Sequence, residues 1–427
     1  MHRTALALAF AAIASSSFAQ YEVRKTSGTQ ELTISLMLPG NAKTQIKLAP
    51  RGTAWGLKPQ VSNVRCEGNL LPQDADGNWL APAKCIAVTW AVLPDRILSE
   101  GADASEQRTL EIGQEEPWFL LAEPTALLRP HNTEGAMQIR ATPDTGWLRG
   151  ATQVQKGYFR LPSSNNAPEF YVLGASTLTH RKLGQFDITY TADSPAVVSR
   201  LGLEALHAKA FSYLSSVVSL PQTLPPSDRS LLVIWLAISE TKGHAGGAAG
   251  SRSFVANYIV GEAENERLNA ARTTAILAHE QFHQLVDLVR GDLPALPAWL
   301  SESLAHYYGL KALLVADDSE STQSVRNKFI APKKSLNHGL LELNRRYKSG
   351  DHTAYELFYS QGATLWHEMD AAIAAATNGQ RTLDNFIDPL LRLRFPADGS
   401  LPEPFIKQLR QSAGPTTDQI ISRYIGE

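Results

Sequence analysis

The sequence predicts an α+β protein of several domains, on three observations. Up to about Asp193, short apolar runs alternate with a period of two between clusters of Gly, Pro, Asn and Asp, the pattern of a β-sandwich-like domain. Beyond that point apolar residues recur at helical spacing almost to the C-terminus. The length of 427 residues, 43% of them hydrophobic, is enough for two or three domains with cores of their own. With 40 Lys and Arg against 42 Asp and Glu, the chain has no excess charge with which to attract nucleic acid or an anionic membrane.

Residues 1–19 read as a secretory signal peptide. Met1-His2-Arg3 gives a basic start, Ala5 to Ala14 an apolar and small-residue run, and Ser17 and Ala19 the small residues flanking a cleavage site. That run is well short of the roughly 20 residues a membrane span needs, as is every later one. The expectation is a periplasmic or secreted protein with no stable membrane span. Cys66 and Cys85 are the only cysteines, and an oxidising compartment would join them in a disulfide. Closing that loop should contribute about 3 kcal/mol by restricting the unfolded chain.

The N-terminal β domain is expected over 20–193. Its strands include Glu31–Leu38, Thr44–Leu48, Cys85–Trp90, Trp118–Leu121, Met137–Ala141, Phe170–Leu173 and Phe186–Tyr190. Leu203, Leu206, Ala210, Phe211, Leu214, Val217 and Val218 then predict a helix over about 196–219. The unbroken apolar run Leu231–Ile238 predicts a buried strand, followed by a glycine-rich stretch over 243–250 and a strand at Phe254–Val260. After Glu262 helices are expected throughout, broken at 291–297, 316–335, 348–351, 378–380, 396–402 and 414–415.

Chemistry concentrates in His279-Glu280-Gln281-Phe282-His283, inside an amphipathic helix that Gly291 can end. Side chains four apart share a helix face, so His279 and His283 can converge on one ion. Glu280, one position round the cylinder, can reach a water there without being a ligand, which is the H-E-x-x-H pattern of zinc hydrolases. Catalytic zinc takes three protein ligands and keeps one position open. Glu302, separated from His283 by 18 residues, sits on a second helix starting at Pro297, and the turn between allows an antiparallel return past the ion.

Together these motifs resemble the gluzincin metallopeptidases, in particular the aminopeptidase N-like and glycyl-aminopeptidase-like enzymes. Trp299-Leu-Ser-Glu302-Ser-Leu-Ala-His-Tyr307-Tyr308 is similar to the glycyl-aminopeptidase W-x-x-E-G-x-x-x-Y-Y, with Ser303 in place of Gly. Tyr359-Ser-Gln-Gly362 matches a further Tyr-x-x-Gly, 57 positions beyond Glu302. The similarity covers about residues 196–427. It implies a thermolysin-like zinc-peptidase domain over 194–320, completed by a C-terminal helical domain over 321–427. It further implies that His279, His283 and Glu302 ligate Zn²⁺, that Glu280 is the general base toward a zinc-bound water, and that Tyr359 donates to the oxyanion. Peptides or proteins would be the substrates.

One departure concerns the family's G-x-M-E-N or G-G-x-E-H strand, whose Glu anchors the substrate's free amine. Here Gly246-Gly-Ala-Ala249-Gly250 puts Ala249 in the Glu position. Gly261-Glu-Ala-Glu264-Asn265 has the G-x-x-E-N spacing but lies only 15 residues before His279, and Gly135-Ala-Met137-Gln138 lies in the β domain. Exopeptidase and endopeptidase therefore both stay open, as does a non-catalytic periplasmic binding protein that retains zinc. Four residues past Glu302, His306 can orient the ligand carboxylate or be an ordinary helix histidine. Asp287 is expected in solvent, and His244 in a loop bordering the cleft.

Overall fold

The computed structural model describes residues 20–426 except 27, 39–43, 53–55, 98–99, 114–116, 132–136, 165, 175–176, 222–223, 243–244 and 331–336. The leader segment 1–19 and His244 thus lie outside the described residues. No described helix is long and apolar enough to cross a membrane.

The N-terminal region is built from sheets, as its period-two pattern predicts. In an eight-stranded sheet, Gln20–Lys25 lies between Leu32–Met37, antiparallel to it, and Met137–Ala141, parallel to it. Against this packs a five-stranded sheet centred on Trp118–Ala122. Phe119, Leu121, Tyr171 and Leu173 point from it toward Tyr21, Val23, Ile34 and Trp90 of the first sheet. Their neighbours Trp118, Leu120, Phe170 and Val172 point the other way, into a cluster with Leu232, Ile234, Leu236 and Val255. Burial on both faces is why these two strands read as continuous apolar runs rather than alternating ones. The expected sandwich is therefore the outer part of a longer stack whose middle sheet is shared with the rest of the molecule. Cys66 and Cys85 form the expected disulfide, with Cα atoms 6.0 Å apart.

The next layer is a second five-stranded sheet. Phe186–Ala192, Ser230–Ser239 and Ser253–Val260 run parallel, with antiparallel edges Thr179–Leu183 and Gly247–Ala249. Phe186–Ala192, grouped on its sequence with the N-terminal strands, belongs to this sheet. Its alternation marks it as a strand but cannot say which neighbour it pairs with. Parallel pairing with Ser230–Ser239 needs a long crossover, which the intervening helices supply. The single helix expected over 196–219 is two, Pro195–Arg200 and Leu203–Val217, parted at Gly202, whose φ is 64°.

One face of this sheet carries the helices. Leu231, Val233, Trp235, Phe254, Ala256 and Tyr258 enter a core with Leu277, Phe282, Trp299, Leu304 and Trp366. Glu266–Arg290 ends at Gly291 (φ 52°), Ala298–Ala316 returns, and Tyr355–Ala376 packs on that second helix. Stacked rings fasten them, Phe282 on Tyr308 at 5.0 Å and Trp299 on Trp366 at 6.4 Å. The span 316–335, expected as a break, contains the helix Glu320–Phe329, capped by the Ser319 side chain at the amide of Thr322. It buries only Thr322 and Val325, so its apolar face is too thin to show as periodicity.

Candidate metal centre and catalytic site

Two helix crossings bring the sequence-predicted residues together. Helix Ala298–Ala316 meets helix Glu266–Arg290 at Gly309, where a Cβ would stand 3.1 Å from the backbone nitrogen of His279. Helix Tyr355–Ala376 meets Ala298–Ala316 at Gly362, where a Cβ would stand 2.2 Å from that of Ser303. The Gly of Tyr-x-x-Gly thus admits the close approach that sets Tyr359, one turn away, over the site. Ser303, standing where the resembling enzymes have Gly, is accommodated by that same glycine and accepts a hydrogen bond from Trp366 Nε1 at 2.8 Å.

His279, His283 and Glu302 form a cluster whose ligand atoms share one small space. His279 Nε2 and His283 Nε2 are 3.1 Å apart, and Glu302 Oε2 lies 3.3 and 3.5 Å from them. A tetrahedral zinc with bonds of 2.0–2.1 Å has ligand atoms about 3.3 Å apart along each edge. The three separations fit three corners of such a tetrahedron. Two imidazoles and a carboxylate are also the donor set of catalytic zinc, so the residues fit the ion. The Ser301 hydroxyl, 3.2 Å from His283 Nδ1, fixes that ring from behind.

Charge is held tightly here. Burial opposes the Glu302 charge, yet the adjacent His283 and His279 keep its carboxyl well below the usual range. Burial likewise opposes a charge on His283, but Glu302 lifts that imidazole to about 9. Burial pushes Glu280 upward, partly offset by the two histidines and by the Ala249 amide. Its carboxylate lies against the edge strand, where a Cβ on Gly247 would come within 2.7 Å of Glu280 Oε1. Burial and Glu302 raise Tyr359 far above the ordinary phenol range, so its hydroxyl stays a donor; its ring is 5.6 Å from that of His279.

The opposite face of the motif helix anchors it. Tyr190 OH meets His207 Nδ1 at 2.9 Å, and His207 Nε2 meets Gln281 Oε1 at 3.2 Å. Gln281 donates to Gln284, which donates to the Gly250 and Ser253 carbonyls beside the edge strand. At the strand's other end, the Asn257 side chain bonds Ala102, Ala104, Leu236 and Gly246. An N-terminal loop thereby helps hold the edge strand.

Other expectations resolve variously. Among the described residues His306 Nε2 has no hydrogen-bond partner, so it does not orient the Glu302 carboxylate through that atom. Its ring packs on Phe329, Tyr359 and His279. Asp287 is exposed, as expected. Ala249 lies on the edge strand Gly247–Ala249, whereas Ala263–Asn265 of the alternative motif is a 3-10 turn leading into the motif helix. Ser301 carries no signal in the sequence, since a serine beside a carboxylate is common.

Neither a known family model nor a curated protein sequence matches the chain. Among solved structures, it is similar to the crystal structure of an aminopeptidase N family protein from Idiomarina loihiensis. The TM-score is 0.66 at 15% identity, covering 96% of this chain and 76% of that one. At that identity the likeness is one of fold: the chain has a mixed α+β, multidomain architecture like that protein's.

Proposed function

We propose that the protein is an exported zinc metallopeptidase, with His279, His283 and Glu302 as ligands, Glu280 as general base and Tyr359 as oxyanion donor. The observation that carries this reading is the triangle of ligand atoms, 3.1, 3.3 and 3.5 Å on its sides, with a buried carboxylate one residue along the same helix. When bound there, zinc supplies Lewis acidity that polarises a carbonyl and acidifies a water.

The chain's own residues divide the remaining work. Glu280, raised by burial, is suited to take a proton from the attacking water and return it to the leaving amine. Tyr359 keeps its proton and offers it as a hydrogen bond to the developing negative charge. Gly247–Ala249 is the last strand of its sheet, so an extended peptide can add alongside it and present successive bonds to Glu280. Ala249 supplies no carboxylate for a free amine. The activity proposed is therefore peptide-bond hydrolysis that does not require an unblocked N-terminus.

The same alanine is what favours the second reading, a zinc-retaining binding protein that does not turn substrate over. Fluorogenic peptide libraries, free and N-acetylated, decide between them. The peptidase reading expects cleavage of both kinds by the wild type and a loss of about 10²–10⁴-fold in Glu280→Gln. Stoichiometric zinc without turnover on any peptide would establish the binder, and strict dependence on a free amine would reinstate an exopeptidase.

A further inference from the structure

The strand that faces Glu280 has almost no side chains with which to hold itself. Gly246-Gly247-Ala248-Ala249-Gly250 offers nothing larger than a methyl group, and glycine leaves a backbone freer than any other residue does. Its glycines mark close approaches on both faces. A Cβ on Gly247 would come within 2.7 Å of Glu280 Oε1, one on Gly246 within 2.9 Å of Ser105, and one on Gly250 within 2.7 Å of the Pro168 carbonyl. The segment is held between the motif helix on one side and two N-terminal loops on the other.

Hydrogen bonds fix it there, and Asn257 is their hub. The Asn257 amide donates to the Gly246 carbonyl at 2.9 Å. Its fully buried side chain donates to the carbonyls of Ala102 at 2.7 Å and Leu236 at 3.2 Å. Its Oδ1 accepts the amides of Ala104 at 3.0 Å and Gly246 at 3.1 Å. Two N–H groups and two lone pairs are the whole capacity of a carboxamide, so nothing in this side chain is left over. The loop it grips is seated on the sheet. The Ser239 amide donates to the Glu100 carbonyl at 2.9 Å, and Gly101 lies so close that a Cβ there would run into the Ala237 carbonyl. At the far end of the strand, the Ser251 amide donates to the Pro168 carbonyl at 2.7 Å.

We infer that Asn257 is a positioning residue for substrate: it ties the start of the edge strand to the loop 101–105 and so fixes where the strand's open edge stands relative to Glu280. The inference rests on the reading above, in which a peptide adds along that edge, and deepens it. The N-terminal β region takes part in peptide binding, and the substrates are extended peptides that run along the strand. Three strand residues present main-chain groups over about 10 Å, so a substrate gains from them only if its chain continues past the scissile bond. Hydrogen bonds weaken steeply once their geometry is lost, so the placement of this backbone sets the affinity of a long peptide.

The test is peptide binding by the zinc-loaded full chain in a Glu280→Gln parent, where turnover is suppressed, read by fluorescence anisotropy. The probes are a fluorescein-labelled, N-acetylated octapeptide, selected from a library by its binding to that parent, and the labelled tripeptide at its centre. Asn257→Ala removes the hub. Gly101→Ala leaves Asn257 intact and drives the loop off the sheet, so either variant that melts cooperatively carries the test. Each is expected to weaken the octapeptide about tenfold and the tripeptide less than about twofold, with zinc affinity within about twofold of the parent. Octapeptide affinity within about twofold of the parent in a folded variant, or equal losses for the two peptides, would overturn the inference while leaving the metal site standing. A parent chain that takes up no zinc, or binds no library peptide, overturns the proposed function itself, and this inference with it.

Discussion

The helices Ala298–Ala316 and Tyr355–Ala376 carry two polar clusters, and the contrast between them separates scaffold from site. At one end, Lys311 Nζ sits 2.8 Å from both Asp370 and Asp384. Tyr307 donates to Asp370, Tyr308 and Tyr213 donate to Asp384, and the Leu383 amide completes Asp370. Each donor has an acceptor, so the cluster is closed and structural. About 13 Å away, nine residues along the first helix, Glu302 and the two histidines turn three metal-ligating atoms toward one point. Among the described residues no side chain fills that point as Lys311 fills the other. A polar cluster that satisfies itself stabilises a fold, and one whose ligand atoms converge is built for something else to complete.

The largest effects should fall on opposite properties in the two clusters. Glu280→Gln should cut turnover by about 10²–10⁴-fold with thermal stability unchanged or raised, since a buried carboxyl is neutralised. Lys311→Met should cost about 3–5 kcal/mol by stranding two carboxylates, while activity per folded molecule stays within about twofold. Urea unfolding and single-point kinetics on both variants decide the matter. Lost activity without lost stability in Lys311→Met would erase the distinction.

A third site sharpens the comparison, because His207 is a buried histidine outside the converging cluster. Burial pushes it down to about 4, so its neutral form bridges Tyr190 and Gln281. The unfolded chain takes up this proton near 6.5 and the folded chain only near 4. Stability should therefore be complete above pH 6.5 and fall by up to about 3 kcal/mol as pH drops to 4. Denaturation series across that range should show the slope in wild type and a smaller one in His207→Gln. An equal slope in both would remove His207 as its source. The smallest effect expected is that of Ser301→Ala, which frees His283 Nδ1 and should weaken zinc about tenfold.

The ligand cluster was legible in the sequence because helix geometry is local. Four-residue spacing aligns His279 with His283, and a helix-ending Gly291 followed by Pro297 implies the return that carries Glu302. The β-rich and helical halves showed for the same reason. What stayed hidden depends on contacts distant in sequence. The strand Phe186–Ala192 could not declare its sheet, and Gly202 divides a helix whose apolar period runs through it. Polar composition concealed Glu320–Phe329. The Asn257 clamp, which ties together segments more than 150 residues apart, is hidden in the same way.

The most direct measurement is zinc K-edge absorption of the stoichiometrically loaded protein, repeated on His279→Ala. The account predicts a first shell of nitrogen and oxygen at about 2.0–2.2 Å with the multiple-scattering pattern of two imidazoles, reduced to one in the variant. A wild-type shell lacking imidazole, or a spectrum that His279→Ala leaves unchanged, would contradict it.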